Sequence, residues 1–277
     1  MAEIAQQARR GYRAVRRSNH LETLTRIGFL SKGVVYLLLG SLAMMAALHK
    51  GGQTTDQKGV IQFIATKPFG EFALAFVAAG LVGYSIWRFV CAISDIEGKG
   101  SDAMGLAARA GYVFSGIAHM GIALYAIKLL TGEYADRADS AKTWTARLID
   151  WPGGTLLIAL VGFTLIGVGI HQIRKGFTEE FKDDLHTASM DRTEREWAVR
   201  AGVWGHAARG VVFGLIGLFL IFAARSADPN EAKGLEGVLD AVSAQPFGQV
   251  MLLLLATGLA FYGLFCIVEA KYRRIRH

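Results

Sequence analysis

The sequence predicts an all-α integral membrane protein of six transmembrane helices, built as three tandem helical hairpins in a pseudo-three-fold arrangement. Three observations predict it. Hydrophobic residues make up 52% of the 277, and they gather in six runs of about 20. At about 1.5 Å per residue, each run can cross a hydrocarbon layer roughly 30 Å thick. A single unit is also written three times. Gly28-x4-Gly33-Val-Val-Tyr36, Gly111-x4-Gly116-Ile-Ala-His119 and Gly205-x4-Gly210-Val-Val-Phe213 share their glycine spacing. They are followed by Pro68-Phe-Gly70, Pro152-Gly-Gly154 and Pro246-Phe-Gly248, at 40, 41 and 41 positions from the first glycine of each unit, a regularity that marks an internal repeat. Finally, 21 of the 30 Lys and Arg residues fall on one side of the spans, as the positive-inside tendency requires of a multi-pass protein with both termini in the cytoplasm.

The chain opens on a basic segment, residues 1–23, in which Arg9, Arg10, Arg13, Arg16 and Arg17 accompany Ile4, Ala8, Tyr12 and Val15 at helical steps. That pattern predicts an amphipathic helix on an anionic inner leaflet. A cleaved signal peptide is the rival reading, but cleavage would strip the first helix from one repeat of three. The repeats follow at 24–98, 105–185 and 197–275, with spans near 27–48, 69–93, 109–130, 153–173, 203–224 and 247–268. The three matched prolines stand where a missing N–H costs a helix nothing, and so mark helix starts. Glu71, at the outer start of the second span, is suited to the positive end of its helix. The outer loops read as short, with no room for an external domain. Residues 174–202 form the longest cytoplasmic segment, and Phe177, Phe181 and Leu185, spaced by four, predict a short helix lying on the membrane or the bundle. Residues 191–196 read as a solvated helix face. Glycines at steps of three, four and seven, among them Gly33 with Gly40, Gly210 with Gly214 and Gly217, and Gly162 with Gly169, predict faces for close helix packing.

The tripled Gly-x4-Gly unit, the Pro-Phe-Gly before the second helices, the Arg88-to-Asp95 exit and the Glu269-to-Arg274 ending resemble the bacterial "domain of unknown function 1206" membrane proteins. The resemblance covers roughly residues 24–275. It implies a membrane fold and location, and carries no activity. The second unit departs from the pattern, with Ser115 where the others have Lys32 and Arg209, and with Gly153 replacing phenylalanine.

Matched positions place the chemistry. Lys32, Ser115 and Arg209 share one level at the cytoplasmic ends of the first helices, and Arg88, Gln172 and Cys266 share another at the ends of the second. Those two levels coincide. His206 and His171 lie at nearly the same depth, with Tyr84 and Tyr262 one turn deeper, giving an inner-leaflet belt of cations and hydrogen-bonding groups. Two readings stand. The cations snorkel to lipid phosphates, or they turn inward with Tyr84, Tyr262 and His206 to bind an anionic headgroup or solute. His119 lies about 15 Å beyond Arg109, near the midplane, where it is either a packed core group or a proton relay or ligand contact.

Other chemistries find no support. The seven histidines have no metal-ligand spacing, and haem, metal and any other cofactor are not expected. The net charge of +7 is explained by the loops, so nucleic acid is not expected as a partner. Cys91 and Cys266 fall near the cytoplasmic side, where a structural disulfide is not expected. No Walker loop, Gly-x-Ser-x-Gly or His-Glu-x-x-His occurs. An enzyme is therefore not expected, though a lipid-modifying reaction at the belt stays open. Two functions remain: binding or transport of an anionic small molecule or lipid headgroup through the belt, or a structural or regulatory scaffold acting through the cytoplasmic segments.

Overall fold

The computed structural model describes residues 19–133 and 140–274. The basic segment expected over 1–23 lies largely outside the described residues. Among the described residues the chain is all-helical, with nine α-helices: α1 (Asn19–Ala47), α2 (Gln57–Ala65), α3 (Gly70–Ser94), α4 (Ala103–Leu130), α5 (Ser140–Ile149), α6 (Gly154–Phe177), α7 (Arg192–Ser226), α8 (Leu235–Ser243) and α9 (Gly248–Tyr272). Six of them, α1, α3, α4, α6, α7 and α9, are long and apolar enough to cross a membrane.

The other three lie in the loops that the sequence reads as short and outer. Each repeat carries a short helix before its proline. In α8, Leu235, Val238, Leu239 and Val242 are buried, a one-sided stripe at helical spacing. In α2, Val60, Ile61 and Ile64 are buried in the same way.

The prolines precede the helix starts as expected, and they do so from within a turn. In each repeat the residue after proline has a left-handed backbone: Phe69 (φ 60°), Gly153 (φ 79°) and Phe247 (φ 60°). The amide N–H groups of Gly70, Gly154 and Gly248 donate to the carbonyls of Lys67, Trp151 and Gln245 at 2.8, 2.9 and 2.7 Å. Proline is thus the second residue of a turn whose third has positive φ, the type II pattern, and the span starts two residues later. A Cβ on Gly70, Gly154 or Gly248 would strike the carbonyl oxygen of Ile64, Leu148 or Ser243. Gly153, which looked like a departure from the repeat, is the residue that the turn takes most easily.

The chain forms two compact units. One comprises Met1–Lys32, Ile64–Ala135 and Cys266–His277; the other comprises Gly33–Phe63 and Asp136–Phe265. In the first, α3 packs on α4 and on the start of α1. A Cβ on Gly28 would lie 2.8 Å from the Tyr84 backbone nitrogen, and one on Gly83 2.9 Å from the Leu24 carbonyl. Phe29, Tyr84, Trp87, Cys91 and Ile96 form its core. In the second unit α6 packs on α7 at crossed glycines: a Cβ on Gly162 would lie 2.8 Å from the Gly217 carbonyl, and one on Gly169 2.6 Å from that of Gly210. The rest of α1 lies on α9, where a Cβ on Gly40 would lie 2.6 Å from the Ala256 carbonyl. These are the close approaches that glycine faces permit. A Cβ on Gly167 or Gly214 would meet nothing.

Residues 174–202 do not hold the single short helix expected. Helix α6 runs to Phe177, two 3-10 turns follow at Glu180–Asp184 and Thr187–Ser189, and α7 begins at Arg192. Phe181 and Leu185 are buried while Phe177 is exposed, so the three do not share a face. Left-handed Glu179 (φ 57°) ends the helical run, and Asp191 with Glu194 forms a capping box that starts the next.

Candidate functional site

In the first unit, the missing side chain at Gly28 brings α1 against α3 at Tyr84. Lys32 stands one turn further on the same face. Its ammonium donates to the Tyr84 hydroxyl at 3.2 Å and sits 4.8 Å from the ring centroid. Arg88, one turn beyond Tyr84 on α3, donates from Nε to the same oxygen at 2.7 Å. Its guanidinium lies 4.9 Å from the Tyr84 ring and 5.2 Å from the Tyr112 ring. Lys32 is 2% exposed, so it does not snorkel. The His119 ring on α4 lies 4.6 Å from the Tyr84 ring. Its Nδ1 is 2.7 Å from the Ser115 carbonyl. Because a carbonyl only accepts, Nδ1 carries a proton.

Beside this cluster runs a charge network that sequence reading missed. Glu97, in the loop after α3, accepts from Arg273 at 2.7 Å and from the Tyr112 hydroxyl. Arg273 also donates to Glu269 and lies 4.9 Å from the Phe29 ring. Burial alone would push the Glu97 carboxyl up. The Arg273 and Arg88 guanidiniums, with the hydrogen bonds from Tyr112 and Arg273, outweigh it and hold Glu97 well below the usual carboxylate range. Two matched arginines close helix ends: Arg26 donates to the Ala270 and Lys271 carbonyls at 2.8 and 2.7 Å, and Arg109 to those of Ala92 and Ile93 at 2.7 and 3.1 Å. Each satisfies carbonyls that a helix C-terminus leaves orphaned. The sequence signal was there, in the i, i+4 pair Glu269 and Arg273 and in the matched Arg26 and Arg109.

The second unit rebuilds the same scaffold around Tyr262. A Cβ on Gly205 would lie 2.6 Å from the Tyr262 Cα, and Arg209, one turn on, donates to the Tyr262 hydroxyl at 2.9 Å. Its guanidinium is 4.8 Å from that ring and 4.7 Å from the Phe213 ring. His206 is buried among aromatics, stacked on Phe181 at 5.4 Å and 5.0 Å from Phe265. The Tyr36 ring lies 4.9 Å from Tyr262, as the matched His119 lies against Tyr84.

The middle repeat keeps neither half of the pair. Ser115 stands at the cation position, and Val168, sixteen residues after Pro152, stands where Tyr84 and Tyr262 follow their own prolines. His171 is exposed on α6 and Gln172 half-buried. Thus Lys32, Arg88, Tyr84 and His119 gather in one unit, and Arg209, Tyr262 and His206 in the other.

Comparison with known proteins agrees with the tripled unit. The family described as Domain of Unknown Function (DUF1206) matches residues 27–95, 110–179 and 204–273. An "Uncharacterized protein YxxB" of Bacillus subtilis (strain 168) is 35% identical over 250 residues, which is 90% of each chain. No solved structure matches.

Proposed function

The chain belongs to the DUF1206 family, and from that premise we propose that it is a multi-pass protein of the cytoplasmic membrane that binds an anionic oxygen group at the Tyr84 cluster. The observation that carries this reading is the convergence of Lys32 Nζ and Arg88 Nε on one phenolic oxygen. The two cations share one acceptor, and ionisable groups within spans are costly enough to mark function. A phosphate or carboxylate placed there accepts charge-assisted bonds from both. A second observation supports it. The Trp87 indole N–H, in the same core cluster, is buried and has no hydrogen-bond partner among the described residues, a donor that calls for an acceptor.

The cluster joins the middle of α1 to the second half of α3, nearer the side on which 21 of the 30 Lys and Arg residues fall. In the proposed topology this is the inner leaflet, with both termini cytoplasmic. The ligand is then either the headgroup of an anionic lipid or a soluble oxyanion. Native mass spectrometry from mild detergent separates the two. A retained lipid mass on the wild type, absent from Lys32→Gln/Arg88→Gln, is the expected result. A retained small-anion mass with the same loss assigns the soluble source instead. A bare wild type, or equal retention by the variant, overturns the reading and returns the protein to a scaffold role.

A further inference from the structure

Two phenylalanines are held where glycine would sit more easily, and their rings touch little of the protein. Phe69 and Phe247 both have φ 60°, a left-handed conformation that is an outlier for a bulky side chain. The matched residue in the middle repeat is Gly153 at φ 79°, so this turn accepts glycine. The rings gain little within the chain in return, being 81% and 85% exposed. Strain kept at a position with no internal benefit points to a contact outside the chain.

The neighbouring residues say what that contact is. Phe69 begins an exposed line that continues down α3 through Phe72 and Phe76, and Phe247 begins one that continues down α9 through Val250, Met251 and Leu254. Both lines follow one face of a helix, at i, i+3 and i+7, and both run along spans long and apolar enough to cross a membrane. Along a span of that length and composition the surrounding phase is lipid. Phe, like Trp and Leu, lines the apolar faces of segments that sit at the boundary between headgroups and acyl chains. In the middle repeat, exposed Trp144 and Trp151 stand near the corresponding turn.

We propose that Phe69 and Phe247 are interfacial anchors, inserted into the bilayer at the headgroup boundary by left-handed turns that aim the rings away from the protein. The turn sets the direction of the ring, and the ring sets the depth at which α3 or α9 enters the membrane. The reading is independent of any ligand at Tyr84.

The test places an environment-sensitive fluorophore on Phe69→Cys, and separately on Phe247→Cys, in nanodiscs of phosphatidylcholine and phosphatidylglycerol. Native Cys91 and Cys266 are buried, which favours labelling at the new site. Emission is expected to be lost to lipids carrying a nitroxide near the headgroup, and little affected by deep nitroxides or aqueous iodide. Dominant iodide quenching would overturn the proposal. So would protection from every quencher, which would mean that a second copy or a partner protein covers the ring. As a companion, Phe69→Gly/Phe247→Gly should unfold in detergent at a temperature no lower than the wild type, since glycine relieves the turn. A clear drop would show that the rings serve the fold itself.

Discussion

The Tyr84 and Tyr262 clusters start from one scaffold and end with different chemistry. Each has a glycine that admits the facing tyrosine, a cation one turn later that donates to its hydroxyl, and an aromatic ring from a matched position lying against it. Around this shared centre the residues diverge. Glu97 and Phe181 each lie 27 residues after the glycine that begins their second helix, and Tyr112 and His206 each follow the first glycine of a unit. In one unit the pair is a carboxylate and a phenol joined by a hydrogen bond; in the other it is two stacked rings. These two positions, together with Arg88 where the matched residue is Cys266, separate a charged network from an aromatic cage. The repeated backbone supplies the approach of the helices, and the side chains at a few matched positions decide whether the site is organised by charge or by packing.

Removing Arg273 should break this comparison most strongly. Arg273→Ala leaves buried Glu269 and part-buried Glu97 without the ion pair each makes to it, and loss of one partner of a buried pair costs about 3–5 kcal/mol. Thermal unfolding in detergent would read the loss. Next come the tyrosines. Tyr84→Phe takes the acceptor from two charged donors and Tyr262→Phe from one, at about 1.5–3 kcal/mol for a hydrogen bond to a charged group. Tyr84→Phe should therefore lower the unfolding temperature more than Tyr262→Phe. An equal or reversed order would dissolve the distinction between the clusters.

Acid should act on the first unit through Glu97. Its folded pKa is depressed, so its contribution is fully present above the unfolded value of about 4.3 and is lost as pH falls from there toward the folded value. Unfolding temperature followed down through pH 4 should fall more steeply for the wild type than for Glu97→Gln. The smallest effect belongs to His206. Its environment is aromatic, and His206→Phe keeps the stack on Phe181 while removing the bond to the Gly202 carbonyl, a change of about 1 kcal/mol or less. A large loss would mean that the imidazole itself matters.

Much of this was legible in the sequence, for physical reasons. The spans announce themselves by length, and the glycine and proline spacing sets the register that pairs Lys32 with Tyr84 and Arg209 with Tyr262. The short helices were hidden because nine or ten residues with one apolar stripe look like a loop beside a 25-residue span. The turn before each second helix was hidden because phenylalanine conceals a left-handed backbone that Gly153 displays. Arg273 and Glu97 meet across 176 residues, at the ends of two helices from different repeats, and no local pattern announces that pairing.

The central claim is that the charged cluster, and not its aromatic counterpart, holds an anionic group. Native mass spectrometry of Lys32→Gln/Arg88→Gln beside Arg209→Gln tests it most directly. The account predicts that the first variant loses the anionic adduct and the second retains it. Loss from Arg209→Gln with retention by the other variant would contradict it.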